Sequence, residues 1–512
     1  MPAAFLAVFL AYPLMRLGQA VAGPAALTGL VRPQSWQIAA LASLQALAST
    51  ALALAIGLPL ANVTSRYAFR GRALAQAIVT VPFVLPTVVV ALAFRALVGQ
   101  ALPQGLALVV LAHAYVNIAV VTRVVGARWA EHDPSYEWVA QSLGATRAQA
   151  FRTVTWPMLR PSILSAACVV FAFSFSSLGI ALLLGDSSTR TLETQILRQT
   201  SVLLDIPGAA ASALLQLVVV SVALLAGAWA SRRSTRSRTR PALIVARNSG
   251  AAWAVRCTAL VGTLIVAAPL AAIALASVRG PHGWTLDWWH ALGSIDAGTT
   301  RIGSPLDALR MSVAYAVVAG LVAAIIGGLA AVAVVSQGRA RVIAVIAILP
   351  LGISAATLGL GTLLAFGRPP IDLRSSGFLV PIAHSLVAVP LVVAVVAPAL
   401  MSRDRRLVAA AATLGAGPTR AFITAYGPIL RLVMLASAGL ACAVSLGEFG
   451  AAAFLARAGS PTMPVQIVRL LSRPGDLSYG AAAASSVLLV TLTLALVLVV
   501  DRMGRNRLSV QR

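Results

Sequence analysis

The residues of this chain that could do chemistry are few and lie far apart. Among 512 residues there are 14 acidic residues, five histidines and three cysteines. Cys168, Cys257 and Cys442 each lie inside an apolar run, so we interpret them as small core residues rather than as a disulfide or a metal site. We see neither a metal-ligand cluster nor a nucleophile beside a base, which argues against a membrane-embedded enzyme.

Glu448 is the one acidic residue inside a strongly apolar predicted helix. An intramembrane carboxylate is costly and often marks a functional site. Two interpretations stay open: a pathway residue that attracts a cationic solute, or a helix-end carboxylate paired with an arginine or a backbone group. In the internal repeat described below its counterpart is Ser177, so such a site would be asymmetric. Asn117 is a further candidate for the solute pathway.

The composition indicates that the helices carrying these residues lie in a lipid bilayer. Hydrophobic residues make up 59% of the chain, charged residues 10%, and the mean hydropathy is +0.90. The apolar runs reach about 20 residues, enough to span a bilayer, so the unit of structure is the transmembrane helix. The net charge is +25, and its 39 basic residues are all arginines, mostly placed between apolar runs. This pattern is typical of topology signals and not of a nucleic-acid-binding face.

We predict an all-α integral membrane protein with about twelve transmembrane helices. The predicted spans are 3–22, 36–63, 73–98, 104–126, 162–185, 207–230, 254–278, 307–336, 340–366, 376–401, 432–456 and 477–500. Placing both termini in the cytoplasm puts 26 of the 39 arginines on the inside, which favours that orientation. The first run is predicted to be an uncleaved helix, because no basic residue precedes it; a cleavable signal peptide is the alternative.

An internal repeat organises the chain into two six-helix halves of the same orientation. Residues 142–163 and 413–434 are similar at an offset of 271, and the same offset pairs His113 with His384. Those histidines are either satisfied interfacial residues or ligands. We therefore predict a first six-helix repeat over 1–230, an arginine-rich cytoplasmic linker over 231–253 and a second repeat over 254–512.

Each repeat carries a matching loop between its fourth and fifth spans. A helix-like piece is followed by Leu-Gly-Ala, where glycine permits a sharp turn, and by a second piece expected to stop before a proline. Phe151 lies on an apolar face of that second piece, and such a loop can insert into a groove on a partner. The matching residues are Leu143, Gly144, Ala145, Phe151 and Pro157 in the first loop, and Leu414, Gly415, Ala416, Phe422 and Pro428 in the second.

These loops resemble the EAA loop of binding-protein-dependent ABC importer permeases. The spacing from glycine to proline matches that motif, whereas its acidic position is Trp138 in the first loop and Ala409 in the second, with Glu137 one residue away. Twelve spans with two such loops resemble the fused permeases of the thiamine and iron(III) group. The segments PFVLPTVVVAL (82–92), LLLG (182–185), TLETQI (191–196) and SLGEFGA (445–451) also look like that group.

The resemblance implies a permease of the inner membrane that works with two copies of a cytoplasmic ATPase and an extracytoplasmic solute-binding protein. The solute would be small and cationic, thiamine-like or ferric iron. A P-loop needs a lysine, and the chain has none, so ATP would be bound and hydrolysed by the partner and this chain would bind no cofactor. The rival hypothesis is an ion-gradient-driven secondary transporter, which has no docking partner to require paired loops.

Overall fold

The computed structural model describes residues 1–21, 33–99, 101–232, 243–245, 249–294, 304–335, 346–367, 372–373, 376–402, 406–457 and 459–508. Nearly all of this part of the chain is helical, which confirms the predicted all-α membrane fold. Within it, ten helices are long and apolar enough to cross a membrane, and up to twelve if each of two bent helix pairs is one span. Most of the predicted linker 231–253 and the start of the predicted span 340–366 lie outside the described residues.

The described part of the chain is a succession of helices interrupted by one pair of short strands. The first half has α1 Pro2–Val21, α2 Pro33–Arg66, α3 Arg72–Thr80, α4 Thr87–Val98, α5 Leu106–Ala130, α6 Ser135–Ser142, α7 Arg147–Phe175, α8 Leu178–Leu184, α9 Leu192–Ser201 and α10 Ile206–Arg232. The second half has α11 Ser249–Ala276, strands β1 Arg279–Gly280 and β2 Gly283–Trp284, and α12 Asp287–Ser294. It continues with α13 Pro305–Val335, α14 Ala355–Phe366, α15 Leu379–Met401, α16 Arg406–Thr413, α17 Pro418–Gly447, α18 Gly450–Leu455, α19 Met463–Leu471 and α20 Asp476–Leu508.

The third span of each half is broken, whereas the sequence predicted continuous helices over 73–98 and 340–366. The helix ending at Phe83 and α4 meet at 109°, and the segment Ile346–Gly352 meets α14 at 113°. Proline has no N–H to donate and disfavours helical geometry in the residue before it. Pro86 accordingly stands at the N-cap of α4, and Pro350 lies in the short 3₁₀ turn ahead of α14.

The fifth span of each half also differs from its prediction. The helices α7 and α17 begin earlier than expected and end at Phe175 and Gly447, inside the predicted spans 162–185 and 432–456. After a short break the chain continues in α8 or α18. In the first half the Ser176 hydroxyl donates to the carbonyl of Ala172 at 2.7 Å, a local bond that competes with continued helix.

The chain forms two compact units, each with its own apolar core. The first unit comprises Leu30–Gln195 and Leu214–Ala276, so it contains α11. In this unit α2, α5 and α7 pack together around buried Val121, Val125 and Ile163. A Cβ added to Gly57 would lie 2.7 Å from Cβ of Val121, so the glycine allows α2 and α5 to approach closely.

The second unit comprises Met1–Gly29, Ile196–Ala213 and Ser277–Arg512. It contains α1, whose Phe9 and Tyr12 rings lie 5.6 and 5.7 Å from the ring of Phe366 in α14. The close α2–α5 approach of the first unit recurs here between α13 and α15, where a Cβ on Gly327 would lie 2.7 Å from Cβ of Val392. The division of the sequence into repeats at residues 230 and 254 stays a prediction.

Candidate functional site

The first predicted loop contains a helix end that requires glycine. After α6 the backbone of Gly144 has φ +91°, and its N–H donates to Gln141 O at 3.0 Å. The N–H of Ala145 donates to Ala140 O, also at 3.0 Å. This pair of bonds is a Schellman motif, in which the left-handed residue is usually glycine because a Cβ is strained there.

The second loop repeats this backbone geometry. Gly415 has φ +85°, its N–H donates to Ala412 O at 3.0 Å, and the N–H of Ala416 donates to Ala411 O at 3.0 Å. Each of these residues lies 271 positions after its counterpart. The turn predicted from Leu-Gly-Ala is therefore present in both loops.

Apolar side chains project from both turns into open space. Leu143 is 83% exposed and Leu414 is 88% exposed. Trp138 and Phe151 are also exposed, whereas Phe422 is half-buried and its ring centroid lies 4.9 Å from that of Tyr426. Large apolar side chains exposed at two equivalent turns are typical of a surface that binds another protein.

Glu137, one residue away from the acidic position of the resembling motif, faces the interior of its own unit. Its two carboxylate oxygens lie 3.2 Å from the two terminal nitrogens of Arg66, at the end of α2. The Thr155 hydroxyl, in α7, donates to Oε1 at 2.5 Å, and His132 Nε2 lies 3.3 Å from the same oxygen. We call Arg66, His132, Glu137 and Thr155 the latch, since they hold α6 against α2 and α7.

The latch lowers the pKa of the Glu137 carboxyl group. Partial burial opposes ionisation, but hydrogen bonds from His132, Thr155 and Arg66 and the positive charge of Arg66 outweigh it and lower the pKa of Glu137 to about 2. Glu137 is therefore ionised at neutral pH. The second loop has apolar and aromatic residues, Val408 and Tyr426, where the first has Glu137 and Thr155.

The prolines that close both loops do not stop the helices, which corrects the sequence-based expectation. α7 continues through Pro157, and α17 continues through Pro428. Just before Pro157 the helix has a π turn over Phe151–Thr155, and such a turn relieves the backbone where a proline removes a hydrogen bond. Both prolines are exposed at the surface of their helix.

Asn117 belongs to a buried polar group in the first unit. Its Nδ2 donates to Ser174 Oγ at 3.1 Å and to the carbonyl of His113 at 2.9 Å. His113 Nδ1 is 2.7 Å from Gln45 Nε2. These polar side chains come from α2, α5 and α7, the three helices that form the core of this unit.

The second unit contains a smaller version of the same group. His384 Nδ1 is 2.8 Å from the Oγ of Ser445, which lies 271 positions after Ser174. This hydrogen bond agrees with the interpretation of the paired histidines as hydrogen-bonded core residues. Among the described residues, no group of three or more His, Cys, Asp or Glu side chains could hold a metal ion.

Glu448 and Ser177 occupy the breaks that follow α17 and α7. Glu448 is the C-cap residue of α17 and not an interior helix residue, and its Oε1 accepts a hydrogen bond from the N–H of Ala451 at 3.3 Å. Of the two interpretations left open, this geometry is that of a helix-end carboxylate bonded to a backbone group. Ser177 is the N-cap residue of α8, and its buried hydroxyl has no hydrogen-bond partner in the described part of the chain.

Comparison with known proteins finds a family similarity within the first half of the chain. Residues 53–236 match the family described as binding-protein-dependent transport system inner membrane component. Residues 53–236 are therefore similar to the inner-membrane components of binding-protein-dependent transport systems, and the described part of the chain has the apolar helices of a multi-pass membrane protein. The relatives described next are named as permease proteins.

Individual relatives point to particular transport systems. The sulfate transport system permease protein of Salmonella typhimurium is 34% identical over 158 residues, 28% of this chain and 56% of the relative. A putative 2-aminoethylphosphonate transport system permease protein of the same organism is 28% identical over 246 residues, 46% of this chain and 89% of the relative. A probable molybdenum ABC transporter permease protein of Haloferax volcanii is 36% identical over 157 residues, 29% of this chain and 58% of the relative. The matched region thus spans just over half of the sulfate and molybdenum relatives. The predicted thiamine and iron(III) group is not supported by these matches.

Sequence reasoning missed the partners that complete these sites. It found Glu137 but neither Arg66, 71 residues earlier, nor Thr155, because these contacts depend on how α2, α6 and α7 pack. It also missed the break that places Glu448 at a helix end. The SLG triplet before Glu448 and the Ser-Ser pair at 176–177 contain the residue types that interrupt helices.

Proposed function

We propose that this chain is the permease subunit of an ATP-driven ABC importer. The observation that carries the proposal is the Schellman turn built twice, 271 residues apart, with an almost fully exposed leucine at each tip. An importer of this kind needs two equivalent contacts because it is driven by two ATPase subunits. The membrane-component match over 53–236 supports the same function.

The partners follow from this function. Two copies of a cytoplasmic ABC ATPase would bind the two loops, and an extracytoplasmic binding protein would deliver the solute. ATP would be bound and hydrolysed by the ATPase, and no nucleic acid is involved. The arginine distribution supports an orientation with both loops and both termini in the cytoplasm.

The solute proposed here is a small oxyanion, in place of the cation expected from the sequence. The relatives are named for sulfate, 2-aminoethylphosphonate and molybdenum transport. Glu448 was the residue that suggested a cation, and its carboxylate accepts a hydrogen bond from a backbone N–H.

Uptake into proteoliposomes tests the proposal. The chain is purified with the ATP-hydrolysing subunit that accompanies it and reconstituted with MgATP inside and the solute-binding protein outside. Uptake of labelled sulfate or molybdate is then measured with and without an ion gradient. We expect uptake to require ATP. Uptake that follows an imposed proton or sodium gradient without ATP would instead identify a secondary transporter.

A further inference from the structure

The start of α4 lies against the start of α8 inside the first unit. A Cβ added to Gly179, in the first turn of α8, would lie 2.5 Å from Thr87 Oγ1 and 3.2 Å from Val88 Cγ2, in the first turn of α4. The N-terminus of the twelve-residue α4 is therefore enclosed beside the break that contains Ser177. Interrupted helices of this kind are tolerated at membrane depth where the backbone is buried in protein or lines a cavity, and in transporters they often form the binding site.

The second unit has the corresponding junction between α14 and α18. A Cβ on Gly450 would lie 3.0 Å from Cβ of Ala355 and 3.1 Å from the backbone N of Ala356. Gly450 follows Gly179 by 271 positions, so the same glycine makes the same close approach. The two junctions can therefore be compared residue by residue.

In the second unit the chain itself supplies acceptors for the helix starts at this junction. Ser354, the N-cap residue of α14, accepts a hydrogen bond from the Thr357 N–H through its hydroxyl at 3.0 Å. The Glu448 carboxylate accepts from the N–H of Ala451 in α18 at 3.3 Å. A carboxyl oxygen is thus already present at this junction.

The first unit lacks both acceptors. The N-cap residue of α4 is Pro86, which has no side-chain acceptor, and α4 has no side-chain cap. In place of Glu448 stands Ser177, whose hydroxyl is more than nine-tenths buried and has no partner among the described residues. Buried polar groups are nearly always hydrogen-bonded, so an orphaned hydroxyl beside an uncapped helix start indicates a missing ligand.

We propose that the junction of α4 and α8 in the first unit is a binding site for a tetrahedral oxyanion. The N–H groups of the first turn of α4 and the Ser177 hydroxyl would donate to the anion, and Thr87 lies beside them. A helix N-terminus favours negative charge, and interrupted membrane helices bind anionic groups in this way. In the second unit Glu448 takes the position of that anion. The inference rests on the proposed function, because it assigns the solute site of the same permease.

Equilibrium binding to the purified full-length chain in detergent tests the site. The probes are labelled sulfate, molybdate and phosphate, with thiamine as the cationic comparison. We expect at least one of the three anions to bind and thiamine not to compete. Ser177→Ala should weaken anion binding about tenfold through the lost hydrogen bond to a charged group. Ser177→Glu should abolish it, because the carboxylate then occupies the junction as Glu448 does. Thermal unfolding of each variant reports whether it is folded.

Ser176→Ala is the matched control, since the Ser176 hydroxyl donates to Ala172 O and lies outside the proposed site. Its anion affinity should stay within twofold of the wild type. Equal affinity in Ser177→Ala, or retained binding in folded Ser177→Glu, would overturn the inference, as would a wild-type chain that binds none of the three anions. Failure of the proposed function looks different: the chain would then recruit no ATPase, whatever its anion affinity.

Discussion

Replacing Glu137 with glutamine distinguishes two roles for this carboxylate: holding α6 in place through the latch, or contacting the ATPase directly. The variant keeps the size of the side chain but removes the charge that both terminal nitrogens of Arg66 face at 3.2 Å. The exposed apolar side chains of the loop, Trp138 and Leu143, are untouched. We therefore expect the ATPase to co-purify as before while solute transported per ATP falls, because α6 would be less firmly joined to α2 and α7.

The size of the effect follows from the titration of the carboxyl group. A pKa lowered from 4.5 to about 2 corresponds to about 3 kcal/mol. The Glu137 side chain is 19% exposed, so solvent screening reduces the expected loss in the free energy of unfolding to about 1–2 kcal/mol. Because the folded-state pKa is depressed, this contribution is complete above pH 4.5 and is lost as the pH falls towards 2.

The assay compares Glu137→Gln with Glu131→Gln in thermal unfolding, ATPase co-purification and ATP-driven uptake. Glu131 pairs only locally with Arg128, at 3.1 Å and three residues away, so its replacement should change little. A double-mutant cycle with Arg66→Met should recover a coupling energy of about 1–2 kcal/mol. Loss of ATPase co-purification in Glu137→Gln alone would refute the reasoning and place this carboxylate at the ATPase interface.

Four further substitutions follow from the geometry. Gly144→Val and Gly415→Val should each destabilise their loop by about 1–2 kcal/mol, because both glycines have positive φ, and should reduce ATPase-coupled uptake while the chain still reaches the membrane. Glu448→Gln keeps an acceptor for the Ala451 N–H, so its melting temperature and uptake should stay near those of the wild type; abolished uptake with unchanged stability would restore the cation-pathway interpretation. Gly57→Ala places a methyl group 2.7 Å from Cβ of Val121 and should lower the free energy of unfolding by about 1–3 kcal/mol. Thermal unfolding in detergent measures this loss. An unchanged unfolding midpoint would show that α2 and α5 move apart at no cost, and that their close approach does not require glycine.

The features predicted correctly from sequence are those that depend on local patterns. Apolar runs identified the spans, and the Leu-Gly-Ala repeat identified two turns where the backbone of Gly144 and Gly415 has positive φ. A Leu-Gly-Ala triplet between two helix-like pieces is a local signal, so one sequence suffices to find it.

The features that were missed depend on tertiary context or on short interruptions. Hydropathy averaged over a span does not reveal the bend at Pro86 or the end of α7 at Phe175, because the flanking residues are equally apolar. The proline at 157 was expected to end a helix, but the π turn before it absorbs the missing hydrogen bond. The Arg66–Glu137 pair joins positions 71 residues apart and emerges only when α2 and α6 are packed.

The most direct test of the central claim is whether the two exposed leucines recruit the ATPase. Affinity-tagged chain carrying Leu143→Asp and Leu414→Asp together is purified from membranes, and the ATP-hydrolysing activity that accompanies it is measured. Leu204→Asp is the control, because Leu204 is also 75% exposed but belongs to the connection between α9 and α10 and to neither loop. The account predicts that the double variant loses the co-purifying ATPase while the control retains it. Equal ATPase recovery in both would contradict the assignment of these loops as the coupling sites of an importer.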